Sequence, residues 1–131
     1  MKLLKWKDEY SMSEENIDKQ HKGLFDLSNE IYHLVEAGVE DSNVFRELFI
    51  ELNDYTVEHF LYEEMYMQSQ GYPKLEEHIE EHLIFAKTLK NVALGINKDS
   101  HIRDIGDFVT TWLLQHVLDS DMQYKKYIDS K

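Results

Sequence analysis

Residues 59–63 read HFLYE, residues 78–82 read HIEEH, and residues 116–121 read HVLDSD. In each stretch a histidine is followed, four or five residues later, by a carboxylate or a second histidine, which is close to the spacing of one helical turn. His21 extends the pattern upstream, so that five of the seven histidines take part in it. The pattern predicts a two-metal site inside a bundle of helices.

The charge and composition of the chain exclude several classes of function. Its 26 acidic and 14 basic residues give a net charge of -12, which repels nucleic acid and anionic membrane surfaces. No cysteine is present, so disulfides, iron–sulfur clusters and thiolate nucleophiles are excluded. The N-terminus has no apolar run long enough for a signal peptide or a membrane span. We therefore expect a cytoplasmic protein with neither nucleic acid nor membrane as a partner.

Glycine and proline divide the chain into long helical segments. Only five glycines and one proline occur. Gly38, Gly71 and Gly95 are each placed to end a helix, and Pro73 suits the first turn of the third. The predicted helices span about residues 13–37, 43–70, 73–94 and 100–129.

The connections between these segments are short, which favours antiparallel neighbours. We expect one all-α domain over residues 1–131, an up-down-up-down antiparallel four-helix bundle. Residues 41–43 offer N-cap side chains to the second helix, and Asp99 or Ser100 to the fourth. Residues 1–12 form an N-terminal arm, which we expect to pack on the bundle through its large apolar side chains, Leu3, Leu4, Trp6 and Tyr10. With no apolar stripe evident beyond the core, a monomer is expected.

The topology brings the ligand-type side chains to one level of the bundle. Counted from the end that all four helices share, they fall in a slab roughly 7–20 Å deep at about 1.5 Å per residue. His116 and Asp121 are the awkward pair, because five residues leave them about 140° apart on an ideal helix. A carboxylate that bridges two metals relieves this problem, and a local π-bulge would help further.

Five imidazoles and two carboxylates are too many for one first-row ion and suit two. Calcium and magnesium prefer oxygen-rich sites, and a structural zinc site closes at four ligands, so iron is favoured, although ligand types do not separate it from manganese. A purely structural account would need five buried imidazoles that each find hydrogen-bond partners. The predicted ligands are His21, His59, Glu63, His78, His82, His116 and Asp121.

Other residues near this pattern receive ordinary roles. His33 and His101 are expected at the surface or at helix ends, and Met65 and Met67 in the core. Tyr124, one turn after Asp121, is expected either to donate a hydrogen bond near the site or simply to pack. Glu64, next to the predicted ligand Glu63, is expected either to support a ligand or, more simply, to lie on a solvated face. The other acidic side chains near the ligands are expected on solvated helix faces, namely Glu76, Glu77, Glu80 and Glu81.

The order of these motifs resembles a known family. Asp18-x-Gln20-His21-Lys22 surrounds the first ligand, and Trp112-Leu113-x-x-His116 precedes the last histidine. The HxxxE and HxxxH motifs lie between these two stretches, and the HxxxxD motif begins at His116. With these motifs in this order, the chain resembles the single-domain bacterial form of hemerythrin over essentially its whole length. It departs from the family at Met12-Ser13-Glu14, where a Val-Gly-Ile-like stretch is common.

The resemblance implies a non-haem di-iron centre that binds O₂ reversibly. His78, His82 and His116 would hold one iron ion, while His21 and His59 would hold a second that keeps a position open for O₂. Glu63 and Asp121 would bridge the two ions together with a solvent-derived oxo or hydroxo group.

The side chains within a turn of these ligands are expected to form a dry apolar wall around the bound O₂. They are Leu24, Phe60, Phe85, Trp112, Leu113 and Val117. The histidine-rich ligand set favours O₂ binding over catalytic turnover. Such binding would serve the storage, delivery or scavenging of O₂, with O₂-requiring enzymes as candidate partners. A di-iron oxidase or peroxidase, an oxygen- or redox-sensing module, and a bundle without metal are the alternatives.

Overall fold

A computed structural model describes residues 3–94 and 102–131, and within them the chain is helical with no strand. The helices are α1 Glu15–Glu36, α2 Ser42–Ser69, α3 Leu75–Leu94, α4 Ile102–Gln115 and α5 Met122–Asp129. A π-helical turn, His116–Asp121, joins α4 to α5 without a break, and α1 and α3 each pack against both α2 and α4. The predicted all-α four-helix bundle is confirmed, with its fourth rod built from α4, the π-turn and α5.

Glycines end α1 and α2 at the predicted positions. Gly38 and Gly71 have φ angles of 71° and 68°, which residues with a side chain rarely adopt. The amide after each glycine returns to a carbonyl of the last helical turn, so that the ends of both helices are capped by the backbone itself. These caps fix the short connections of residues 37–41 and 70–74.

The starts of the helices differ slightly from expectation. Ser13 has a φ of 57°, so α1 begins two residues later, where the Glu14 side chain caps the amide of Ile17 at 2.7 Å. Pro73 lies before α3 rather than inside it, because the amide of Leu75 bonds to the carbonyl of Tyr72 at 3.3 Å and closes a turn around the proline. Asp41 caps α2 through the amide of Asn43, at 2.7 Å.

The expectations for Gly95, Asp99, Ser100 and His101 fall outside the residues that the structure describes. His33 is exposed, as predicted.

The N-terminal arm packs on α1. Leu4 and Tyr10 are buried, and the rings of Trp6 and Tyr10 both meet Phe25 edge to face, at 5.6 and 5.8 Å. Asn29 exchanges two hydrogen bonds with the backbone of Leu4, at 2.7 and 2.8 Å. These contacts hold the arm against the bundle, whereas Leu3 is 47% exposed.

The solvent face of α2 carries an apolar stripe that the sequence analysis did not anticipate. Its members, Ile50, Val57, Leu61 and Met65, are each about half exposed or more. Met65 was predicted to lie in the core and instead is 69% exposed, while Met67, two residues later, is fully buried as predicted. The helical register explains the difference, since two residues rotate a side chain by about 200°.

None of the helices within residues 3–94 and 102–131 combines the length and the apolar character needed to cross a bilayer.

A close contact between α1 and α2 lies next to the predicted ligands. A Cβ atom added at Gly23 would stand 1.9 Å from the phenolic oxygen of Tyr55. That hydroxyl donates a hydrogen bond to the carbonyl of Gln20, at 2.9 Å. Glycine at position 23 therefore allows Tyr55 to join the two helices.

We predict that Gly23→Ala lowers the free energy of unfolding by about 1–2 kcal/mol, because the added methyl group collides with Tyr55. This loss is expected even though alanine is more favourable than glycine inside a helix by about 0.5–1 kcal/mol. In a Tyr55→Ala background the same substitution should stabilise the protein, because the clash is gone. Urea denaturation of the metal-free proteins, namely the unaltered protein, the two single variants and the double variant, measures the free energy of unfolding of each. Stabilisation in both backgrounds would show that Tyr55 does not constrain position 23.

Candidate metal centre

All seven predicted ligands meet in the interior of the bundle. α1 supplies His21, α2 supplies His59 and Glu63, α3 supplies His78 and His82, and the π-turn supplies His116 and Asp121. Each is at most 4% exposed. Four helical rods therefore deliver side chains to one buried level, as their spacing predicted.

Three imidazoles gather on one side of this level. The Nε2 atoms of His78 and His82 lie 3.0 and 3.1 Å from Oε1 of Glu63, and the Nε2 atom of His116 lies 3.7 Å from it. The Nε2 atoms of His82 and His116 are themselves 3.1 Å apart. These four side chains offer ligand atoms that all lie within 4.8 Å of one another, which is close enough to hold one metal ion.

Two imidazoles gather on the other side. Oε2 of Glu63 lies 3.3 Å from Nε2 of His21 and 3.4 Å from Nε2 of His59. These three side chains also meet the distance condition for a shared metal ion. Glu63 thus turns one oxygen toward each imidazole group.

Asp121 spans the same two groups. Its Oδ1 atom lies 3.0 Å from Nε2 of both His78 and His116, and its Oδ2 atom lies 3.1 Å from Nε2 of His21. Both buried carboxylates are therefore placed between a group of three imidazoles and a group of two. Each carboxylate can therefore offer one oxygen to a cation beside either group.

The π-turn makes the contribution of Asp121 compatible with that of His116. On a regular α-helix the two side chains would diverge by about 140°, whereas their carboxylate and imidazole atoms lie 3.0 Å apart in the structure. The wider π-helical turn, which runs from His116 to Asp121, brings them to the same face. The local π-bulge, which the sequence analysis considered as one aid to this pair, is present.

Two of the predicted ligands, His21 and Asp121, have side-chain atoms that are left without an aligned hydrogen-bond partner in the described part of the chain. Both nitrogens of His21 and both oxygens of Asp121 are buried without an aligned hydrogen bond to any described residue, although neighbouring imidazole and carboxylate atoms lie 3.0–3.1 Å away. Adjacent ligands of a first-row metal, at bond lengths of about 2.1 Å, stand about 3.0 Å apart. The residues present therefore fit a pair of metal ions.

Charge favours the same conclusion. Burial alone would raise the pKa of Glu63 and Asp121, yet the surrounding imidazoles hold both values below their ordinary range. Burial lowers the pKa of His21 and His78, but their contacts with Asp121 and Glu63 outweigh it and raise each to about 9. The two buried carboxylates are stabilised by nearby positive charge, which can come either from protonated imidazoles or from metal cations.

Three side chains bind the outer nitrogens of the imidazoles. Oε1 of Gln20 lies 2.7 Å from Nδ1 of His59, Oε2 of Glu64 lies 2.8 Å from Nδ1 of His82, and Oε2 of Glu81 lies 3.2 Å from Nδ1 of His116. The contact with His116 lowers the pKa of Glu81. Such partners fix the orientation of metal-binding imidazoles and increase their basicity.

Glu64 takes the first of its two expected roles, because its carboxylate binds the ring of His82. The expectation for Glu81 was incomplete: 45% of its side chain is exposed, yet its carboxylate also lies against His116. Both residues are adjacent in sequence to a predicted ligand, and so is Gln20. A neighbouring residue on a helix is rotated by about 100°, which points it at the seam where the next helix presents its imidazole. Adjacency to a ligand, which indicated this role for Glu64, could also have identified Gln20 and Glu81.

Tyr124 and the aromatic residues complete the surroundings of the site. The hydroxyl of Tyr124 donates to Oε2 of Glu63 at 3.2 Å, which settles the choice between hydrogen bonding and packing alone. Phe60 stacks on the ring of His82 at 3.9 Å, and Trp112 stacks on that of His116 at 4.2 Å. The six predicted wall residues all lie in or against one apolar core. Five of them are buried and Trp112 is half-buried. The six are Leu24, Phe60, Phe85, Trp112, Leu113 and Val117.

A helical bundle with a buried histidine and carboxylate cluster at its centre defines a metal-binding protein of the four-helix class. Residues 12–128 match the family model described as the hemerythrin HHE cation binding domain. The chain belongs to the hemerythrin family.

Similar proteins span nearly all of the chain. A bacteriohemerythrin of Clostridium acetobutylicum is 35% identical over 124 residues, covering 91% of this chain and 96% of its own length. A myohemerythrin of Theromyzon tessulatum is 28% identical over 120 residues, covering 92% and 89%. A crystal structure of wild-type hemerythrin superimposes with a TM-score of 0.84 at 26% identity, covering 95% of this chain and 97% of that one.

The π-turn suggests a test that keeps composition and charge constant. Exchanging two neighbours by Ser120→Asp with Asp121→Ser should weaken metal binding by about tenfold or more, because the carboxylate rotates away from the imidazoles. Exchanging Asp119 and Ser120 instead is the matched control and should leave binding unchanged, since Asp121 stays in place. Metal content after equilibrium dialysis measures both, and equal losses in the two proteins would contradict the assigned role of Asp121.

Proposed function

We propose that the chain binds O₂ reversibly at a pair of iron ions, for storage, delivery or scavenging. The observation that carries the proposal is the placement of Glu63 and Asp121, because each turns one oxygen toward members of the three-imidazole group and the other toward the two-imidazole group. His78, His82 and His116 would hold one ion, His21 and His59 the other, and the two carboxylates would bridge them. The metal pair would supply the electrons that O₂ takes up on binding and returns on release.

The unequal imidazole groups support a ligand-binding position on one side. Three imidazoles and two carboxylate oxygens offer five protein donors, whereas two imidazoles and the remaining two oxygens offer four. The side that carries His21 and His59 thus has one fewer protein donor and can admit an external ligand. We expect O₂ to bind on that side.

The surroundings of the site favour binding over turnover. Leu24 is 1% exposed and lies one turn after His21, and it continues into the apolar core that Leu113 and Val117 also join. An apolar wall excludes water and slows the delivery of protons that would release reduced oxygen species. A cytoplasmic location and service to O₂-requiring enzymes belong to the same proposal.

Anaerobic reconstitution with ferrous iron tests the function directly. We expect about two iron ions per chain, a visible absorption band that appears in air, and loss of that band under argon. The surface variant His33→Ala should behave like the unaltered protein, whereas Glu63→Gln should lose iron. A band that forms in air and does not fade under argon would contradict reversible binding and would favour oxidase chemistry instead.

The wall can be tested with a pair of matched cavities. Leu24→Ala should raise the rate of irreversible oxidation by about tenfold, because water gains access to the site. Leu52 is equally buried, at 1% exposure, and lies two turns before His59 on α2. Leu52→Ala should destabilise the fold to a similar degree, by about 2–5 kcal/mol, without changing the oxidation rate. Spectra recorded over time in air measure both rates, and equal rates in the two variants would mean that Leu24 does not protect the bound O₂.

A further inference from the structure

Tyrosine and methionine side chains are concentrated in one cluster, whereas both tryptophans lie against the larger apolar core. Beyond the metal centre, five of the eight tyrosines form one cluster with Met12, Met67 and Met122. The core on the other side of the centre consists mainly of leucine, isoleucine, valine and phenylalanine. The tyrosines of this cluster are Tyr62, Tyr66, Tyr72, Tyr124 and Tyr127.

Tyr124 connects this cluster to the metal centre. Its side chain is fully buried, and its hydroxyl donates a hydrogen bond to Oε2 of Glu63 at 3.2 Å. Its ring also lies 5.5 Å from the ring of His78. A phenol in this position touches one carboxylate and one imidazole of the predicted ligand set.

Further rings lead from Tyr124 to the protein surface. The ring of Tyr72 lies 6.0 Å from that of Tyr124, and the ring of Tyr127 lies 5.6 Å from that of Tyr72. Tyr72 is 8% exposed and Tyr127 is half-buried. Tyr66, also half-buried, lies 6.5 Å from Tyr124 and offers a second exit. The predicted ligands are at most 4% exposed, whereas Tyr66 and Tyr127 are half-buried and can be contacted by a donor in solution.

We propose that Tyr124, Tyr72 and Tyr127 form a one-electron path by which peroxide at the metal centre oxidises small phenolic or enediol donors at the surface. The proposal rests on the proposed function, since it requires a metal centre that can be oxidised. It adds a peroxidase-type activity, in which the donor never enters the site.

The electrons and protons balance as follows for each peroxide. Tyr124 gives one electron to the centre while its phenolic proton shifts along the hydrogen bond to Oε2 of Glu63, and that proton returns when Tyr72 restores the electron. The two protons that peroxide needs come from solvent, into which the two oxidised donors release theirs. Tyr127 re-reduces Tyr72 and is itself re-reduced by the donor, which loses one hydrogen atom in total. Two donors therefore supply two electrons and two protons, the O–O bond breaks, and the products are two waters and two donor radicals.

Tyrosine-to-phenylalanine variants test the path, because they keep the rings and remove only the phenol. Iron-loaded protein is mixed with hydrogen peroxide, freeze-quenched and examined by electron paramagnetic resonance, with guaiacol oxidation measured in parallel. Tyr124→Phe should reduce the tyrosyl radical signal and guaiacol oxidation by about tenfold. Tyr72→Phe combined with Tyr66→Phe, which removes both exits, should keep a radical at Tyr124 but reduce guaiacol oxidation by a similar factor. Tyr32→Phe, on α1 and outside the cluster, is the matched control and should change neither.

Iron content and the visible spectrum, recorded first, separate the two proposals. If the iron-loaded centre is oxidised by peroxide while no tyrosyl radical forms, or while all variants oxidise guaiacol equally, the path is wrong and the proposed metal centre stands. If the protein binds no iron, both proposals fail. A radical that disappears only in Tyr124→Phe, with unchanged iron content, supports the path, since a packing role for Tyr124 would not produce it.

Discussion

The burial of two carboxylates is the constraint on which the rest of the structure depends. Glu63 and Asp121 are both inaccessible to solvent, and a buried ion without compensation costs several kcal/mol. Five imidazoles from four helical rods provide that compensation only if each rod holds its histidine at the same level. The glycine caps, the short connections and the π-turn between His116 and Asp121 all serve this register. The bundle is thus organised around its polar centre rather than around its apolar core.

Much of this arrangement could be predicted because helices convert spacing into direction. Four-residue intervals place His59 with Glu63, and His78 with His82, on one face each. Gly38 and Gly71 mark helix ends because the positive φ that ends a helix in this way favours glycine. Even the five-residue interval to Asp121 was informative, since it fits no regular helix and therefore indicated a local irregularity.

The remainder depends on side chains that reach between helices, which periodicity does not encode. Glu64 and Glu81 look like solvated residues on their own helices, and only the position of the neighbouring helix turns them toward His82 and His116. Pro73 satisfies the rules for a first helical turn and for a β-turn equally well, and the Tyr72 carbonyl decided in favour of the turn. The apolar stripe on α2 was missed because α2 carries apolar residues on both its core face and its solvent face, although the intervals of seven and four residues place the stripe on one side.

The span of the site along the chain has a consequence for how the molecule is made. The imidazole of His21 meets the carboxylate of Asp121, so the site joins the first helix to the last rod across most of the chain. In a chain without cysteine, metal held by both of these residues would act as a cross-link that closes a very long loop, and it would restrict the unfolded state as a disulfide does. The complete set of ligands exists only after residue 121 has left the ribosome and all four rods have come together. A fully occupied site would therefore report that synthesis has passed this point and that the rods have assembled.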